Sequence, residues 1–442
     1  MKEKSRFIQK RIGTDLFVIY DLEHQKYLLS KGKVSPQKVE AFFKKELGKE
    51  ESYLANTPFR TIVVNLTEQC NLRCLYCHRY QKDYSANASM SEETLLLVMQ
   101  RAYEYSLIKK NKKEKTIVQF HGGEPTLRLN VVKNVLDKFK DKLDNFELRI
   151  QTNATNISPE FIDLCRKYKI QVGVSIDGPP HLTSVVRRFG NGASIFPTVE
   201  KNIKLIYDSL PGTYISCLCV ISSANVNKAK DVFDYLVKNQ HISDISFLPL
   251  YPDFSPCLNQ ADTRIVPRSV EMIKFSKKIF DLWIDALKEG KQVCIPNFQI
   301  WFWNLAALNR GAILTNTCCG VGESMIFVDI DGTYYPCSPL SYEKTMAIGN
   351  VKNDSIAKIP KTKVGKLFQD RNVKSVSECR DCVFQGICRG ACPANAFLKK
   401  GDFFEKGPFC EYWKGTISHI LKRLAEDPSI LKLIPDYTIR FF

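Results

Sequence analysis

The stretch TIVVNLTEQCNLRCLYC, residues 61–77, joins a β-branched run, Thr61-Ile62-Val63-Val64, to three closely spaced cysteines, Cys70, Cys74 and Cys77. β-Branched side chains favour a strand, so the spacing C-x3-C-x2-C falls on a short loop at the strand's carboxyl end. Three thiolates on one loop can hold three irons of a four-iron cluster. The fourth iron then has no protein ligand and stays open to a small molecule, an incomplete version of the four-cysteine ligation of electron-transfer clusters. A zinc loop is the competing reading, but zinc sites usually set one cysteine pair against a matching second pair.

From residue 61 to about 252, short apolar segments alternate with amphipathic ones. Strands are predicted at 62–66, 117–120, 147–151, 171–175, 214–221 and 245–248, with helices near 91–109, 129–143, 158–168, 195–208 and 225–239. Repeated strand–helix units give an α/β fold with a parallel sheet and helices outside it, either open or curled into part of a barrel. Ligand sites in such sheets gather at the carboxyl ends of the strands. Phe120-His121-Gly122-Gly123-Glu124-Pro125 closes the second strand, Gln151-Thr152-Asn153 the third and Ser175-Ile176-Asp177-Gly178-Pro179 the fourth. A glycine pair lets the backbone approach a ligand closely, and a carboxylate beside it can accept hydrogen bonds from an ammonium. His121 and His181 are read as accessory or surface residues, and Asp177-Gly178 is equally readable as a simple turn.

Residues 1–58 form a preface. Strands at 16–20 and 26–30 make a hairpin, and Ser35-Pro36 opens a helix to 47, with serine as N-cap and proline in the first turn. Residues 59–252 are the repeated strand–helix domain, and 253–317 a helical bridge with a helix near 267–289 and an aromatic-rich segment, 298–303, read as core. Residues 318–413 are rich in cysteine, glycine and turns. A helix at 411–424 leads into a tail, 414–442 being the last division.

The chain has 442 residues, 44% hydrophobic and 25% charged, the composition of a globular protein of two or three domains. No apolar run approaches the ~18 residues of a membrane span, so no membrane partner is expected. The amino-terminal segment lacks the apolar core of a secretory signal, so a cytoplasmic location is expected. Sixteen cysteines in a reducing compartment point to metal or catalysis rather than disulfides. The net charge of +17 comes partly in short runs such as Lys109-Lys110-Asn111-Lys112-Lys113. These read as solvated loops, and no nucleic-acid-binding motif accompanies them.

The cysteine loop and Gly122-Gly123-Glu124 together resemble the radical S-adenosylmethionine (SAM) superfamily. That resemblance implies a partial (β/α)6 barrel in which Cys70, Cys74 and Cys77 hold a cluster whose open iron chelates SAM. It also implies that Tyr76 packs on the adenine and that Gly122, Gly123 and Glu124 take the SAM amino group. Ser175, with Gln151 and Asn153, is then placed toward the ribose, and Arg187 or Arg188 toward the SAM carboxylate. Downstream, Cys319, Gly332-x4-Cys337, Cys379-x2-Cys382-x5-Cys388-x3-Cys392 and Cys410 resemble the SPASM domain of peptide-modifying radical SAM enzymes. By that resemblance Cys379, Cys382, Cys388 and Cys410 hold an outer auxiliary cluster, and Cys319, Cys337 and Cys392 an inner one, giving three [4Fe–4S] clusters in all. The chain departs from the sulfatase-maturase pattern at Met325, where that pattern has another cysteine, so the inner cluster has an open iron or an unusual ligand such as Cys318. Cys165, Cys217, Cys219, Cys257 and Cys294 match no motif and are read as structural.

The resemblance implies an enzyme that modifies a ribosomally made precursor peptide, through a carbon–carbon or thioether crosslink. Flavodoxin or ferredoxin would supply the electron, and residues 1–58 would contact the leader. Its rivals are a sulfatase-type maturase making formylglycine, a radical SAM enzyme acting on RNA or a nucleotide, and an iron–sulfur redox sensor. No general base is named.

Overall fold

The computed structural model describes residues 6–23, 26–46, 61–77, 79, 88–108, 115–250, 263–305 and 325–434. Cys257, Cys318 and Cys319 lie outside the described residues.

Strand β4 (Thr61–Asn65) is buried along its whole length, as the β-branched run requires of a central parallel strand. After it come β5 (Thr116–His121), β6 (Phe146–Thr152), β7 (Gln171–Ser175), β8 (Ile215–Ile221) and β9 (Asp244–Pro249), each parallel to the one before. These are the six strands of the predicted α/β partial barrel. Helices on the outside turn their apolar faces to the sheet. In Leu129–Lys138 the buried residues are Val131, Val132, Val135 and Leu136, one stripe of a helix. Helix Pro159–Tyr168 starts where Ser158 accepts from the Phe161 N–H at 3.3 Å.

The sheet runs further than six strands. β10 (Met325–Val328) pairs in parallel with β4, and β11 (Thr333–Tyr335) and β12 (Gly349–Asn350) follow antiparallel, giving the order β12-β11-β10-β4-β5-β6-β7-β8-β9. Met325 heads β10 opposite Thr61. The cysteine-rich region therefore adds strands directly to the edge that carries the first cysteine loop.

In the preface, the predicted hairpin of β2 (Leu16–Asp21) and β3 (Lys26–Lys31) is joined by an unpredicted strand, β1 (Phe7–Arg11), in the order β1-β2-β3. The bridging helix Ser269–Lys288 packs against Cys410–Glu426, and Tyr412 and Ser276 share a buried hydroxyl pair at 2.7 Å. The aromatic segment is core, with Phe298 edge-on to Phe280 at 5.4 Å. Among the described residues no helix is long and apolar enough to cross a membrane.

Candidate active site

The loop after β4 lies against the ends of β5 and β7. Gly123 and Glu124 donate their N–H groups to Thr67 O at 2.6 Å and Gln69 O at 2.7 Å. A Cβ on Gly123 would stand 2.1 Å from Gln69 O, and one on Gly122, at φ 139°, would stand 2.5 Å from Thr67 O. The glycine pair is thus required for the cysteine loop to seat on β5, a reason found within the chain itself. On the other side, Arg73 and Leu75 donate to Arg188 O and Val186 O, both at 2.9 Å. The loop that carries Cys70, Cys74 and Cys77 is held by the end of β5 on one side and by the end of helix Pro180–Val186 on the other.

Glu124 is fully buried. Its carboxylate accepts from Thr126 N (3.1 Å), Thr126 Oγ1 (2.8 Å), Thr152 Oγ1 (2.7 Å) and Asn153 N (2.8 Å). Through both oxygens the carboxylate joins β5 to β6. Asn153 in turn donates to Asn71 Oδ1 at 2.9 Å and to Cys70 Sγ at 3.8 Å. Gln151 donates to Ser175 Oγ at 2.9 Å, while its buried Oε1 has no partner among the described residues. An acceptor left open at a strand end suits a hydroxyl-bearing ligand.

Tyr76 and Arg187 meet at a buried carboxylate. The Tyr76 hydroxyl donates to the buried Asp177 carboxylate, and the Arg187 guanidinium lies over the Tyr76 ring at 5.2 Å while its Nε donates to Asp177 at 2.9 Å. Asp177 also accepts from Val220 N at 2.9 Å. Asp177 is therefore the buried anchor of this corner, where sequence allowed a simple turn. Arg187 pairs with it, whereas half-buried Arg188 donates from Nη2 to Val185 O at 3.3 Å and its buried Nε meets no acceptor among the described residues. His121 accepts from Gly122 N at 2.7 Å through Nδ1, and burial, aided by the Arg79 charge, pushes its pKa down to about 4. It is a neutral structural imidazole, and His181 is exposed.

Beneath the loop lies a cluster that sequence reasoning missed. Asn65 Nδ2 donates to Glu68 Oε1 and Asp329 Oδ1, both at 2.6 Å. Buried Arg79 pairs with Glu68, lies 3.6 Å from Asp329, and sits over the rings of Phe327 and Tyr342. Asn65 and Asp329 are 264 positions apart, and no local signal connects them.

The second thiol field is a pocket walled by Cys379, Cys382, Cys388 and Cys410, with Phe384 and Gly407. Cys392 is not in that wall. Cys337 is buried at the start of a 3-10 turn, Ser338–Tyr342. Cys165, Cys217 and Cys219 are buried in the core, as expected of structural thiols.

Residues 64–236 match the radical SAM superfamily, and residues 318–383 match the iron–sulfur cluster-binding domain SPASM. The chain carries a radical SAM domain and a SPASM domain. The cysteine-type anaerobic sulfatase-maturating enzyme of Clostridium novyi (strain NT) is 24% identical over 370 residues, covering 81% of this chain and 94% of that protein. The radical SAM cyclopropyl synthase TigE of Paramaledivibacter caminithermalis is 25% identical over 390 residues, 82% of this chain and 74% of that protein. The solved structure of native anSMEcpe with bound AdoMet and Cp18Cys peptide shares the fold at TM-score 0.71 and 22% identity, covering 85% of this chain and 99% of that one.

Radical SAM and SPASM domains imply SAM and iron–sulfur clusters, and the residues present fit both. Burial pushes the Cys70 and Cys74 thiols up to about 12. Groups so buried become thiolates when a metal supplies the opposing charge. Cys379, pushed to about 11, and Cys388, to about 12, are in the same condition around the SPASM cavity.

Proposed function

We propose that this radical SAM/SPASM protein is a maturase that modifies a ribosomally made precursor peptide by forming a carbon–carbon or thioether crosslink. The observation that carries the reading is the presence of two separate thiol sets in one chain. One is a three-cysteine loop at a strand end; the other is a four-cysteine cavity in the SPASM region. Cys70, Cys74 and Cys77 would hold the SAM-binding cluster, Cys379, Cys382, Cys388 and Cys410 an outer auxiliary cluster, and Cys337, Cys392 and Cys319 an inner one. When bound, cluster and SAM supply a 5′-deoxyadenosyl radical once a flavodoxin or ferredoxin delivers an electron.

The chain's own residues position this chemistry. The glycine pair and the 186–188 segment fix the loop, Glu124 locks β5 to β6, and Asp177 orients Tyr76 and Arg187. Gln151 Oε1 and Ser175 Oγ would meet the ribose hydroxyls. Residues 1–58 would help hold a leader by strand addition. Because β1 covers the β2 side of the hairpin, the edges on offer are β1 and β3.

The second reading, formylglycine formation, is supported by the relationship to the sulfatase-maturating enzyme. Met325, standing where that pattern has a cysteine, speaks against it. Anaerobic incubation with reductant, SAM and a candidate peptide, followed by mass spectrometry, separates the two. A crosslink removes two hydrogens and leaves no aldehyde, whereas formylglycine reacts with a hydrazide. Failure to release 5′-deoxyadenosine, or its release after Cys70, Cys74 and Cys77 are replaced by alanine, would sink both.

A further inference from the structure

Between Cys388 and Cys392 the backbone takes three consecutive left-handed residues, Arg389 (φ 57°), Gly390 (φ 77°) and Ala391 (φ 60°). A side-chain-bearing residue is disfavoured there by about 1–2 kcal/mol, and left-handed residues ordinarily occur singly. Such a turn persists only where its surroundings over-determine it.

Arg371 supplies that constraint. Its side chain is 1% exposed and follows helix Lys363–Asp370 directly. Nη2 donates to Gly390 O at 2.8 Å and Nη1 to Ala391 O at 3.3 Å, while Nε donates to Phe403 O at 2.8 Å and Nη2 also to Glu405 O at 3.4 Å. One planar fork thus ties the turn to the segment leading to Cys410. The fit between them is close, since a Cβ on Gly407 would lie 3.0 Å from Ala391 Cβ. The turn also separates the two thiols. Cys388, Gly390 and Ala391 line the four-cysteine cavity, whereas Cys392 lies outside that wall and caps helix Pro393–Lys400.

We propose that Arg371 is a positioning residue that sets the left-handed 389–391 turn and so directs Cys388 and Cys392 to two different auxiliary clusters. The inference rests on the reading that the SPASM region holds two clusters. Four carbonyls on two segments need the rigid fork of an arginine, and a lysine's single ammonium cannot span them.

The test compares wild type, Arg371→Lys, Arg371→Gln and the double variant Arg371→Lys/Ala391→Gly after anaerobic reconstitution. Iron and sulfide per chain, the electron paramagnetic resonance of the reduced clusters and uncoupled release of 5′-deoxyadenosine are measured. Both single variants are expected to lose one cluster's iron, about four per chain. Their auxiliary-cluster signals change, while the SAM-sensitive signal and 5′-deoxyadenosine release match wild type. Ala391→Gly restores part of the lost iron, because glycine takes positive φ unaided. Auxiliary signals and iron unchanged in both single variants would overturn the proposal. So would loss of every cluster without rescue by Ala391→Gly, which would mark a general structural role. Wild-type protein holding only the SAM-binding cluster would instead overturn the two-cluster reading on which the proposal stands.

Discussion

Both oxygens of Glu124 accept from a backbone N–H, Oε1 from Thr126 and Oε2 from Asn153. An amide in that place must turn its NH2 toward one of those donors, whichever way it is flipped. Glu124→Gln is therefore expected to destabilise the chain by about 1–3 kcal/mol, the cost of a buried donor left unmet, read as a lower urea midpoint at unchanged slope. A second expectation concerns pH. Burial raises the Cys70 and Cys74 thiols from 9.0 to about 12 in the cluster-free protein. As pH climbs past 9.0, the unfolded chain releases these protons first, so stability is whole below that point and falls toward about 12. Cluster-loaded protein, whose sulfurs are already thiolates, escapes this loss, and thermal midpoints of the two forms across that range would separate them. At this scale the sequence showed which residues matter better than how. The glycine pair and the carboxylate were legible from spacing, but the seating of Gly123 on Gln69 O and the commitment of both Glu124 oxygens depend on neighbours that spacing does not reveal.

The six parallel strands could be placed within a few residues because each is a short apolar run between amphipathic helices, and that signal is local. β1 was missed because Gln9, Lys10 and Arg11 interrupt its apolar character, and β12 because two residues carry no period. The join between β4 and β10 was beyond local reading altogether. Its chemistry is the Asn65–Glu68–Arg79–Asp329 cluster, in which one buried guanidinium faces two carboxylates. Arg79→Met would leave both carboxylates buried without their cation, and the expected loss is about 3–5 kcal/mol. Because Arg79 follows Cys77 by two residues, the SAM-binding loop should loosen first. Iron at that loop and 5′-deoxyadenosine release should fall while the auxiliary signals persist. Equal loss from all clusters would argue that the network stabilises the whole chain rather than this junction.

Across the whole molecule, the preface is seated on the SPASM cavity. Tyr27 Oη accepts from Ile387 N at 3.1 Å, the Tyr20 and Tyr27 rings lie 4.5 Å apart, and Lys10 Nζ stands 5.2 Å from the centre of the Phe384 ring. Phe384 and Gln385 also line the four-cysteine cavity, so the amino-terminal sheet backs the wall of the proposed outer cluster. Deleting residues 1–50 would consequently remove a candidate leader-binding edge and part of a cluster's shelter in one step. Gly386→Ala separates the two. A Cβ there would stand 2.6 Å from Tyr20 Cε2, and Tyr20, buried and packed on the Tyr27 ring, has little room to yield. Overpacking of this kind costs about 1–3 kcal/mol, spent at the seat of the sheet, while the β1 and β3 edges keep their sequence. The expected outcome is faster bleaching of cluster absorbance in air with precursor affinity unchanged. Bleaching at the wild-type rate would show that the sheet does not shelter the cavity, and a matching fall in affinity would show that leader binding needs the seat as well as the edge.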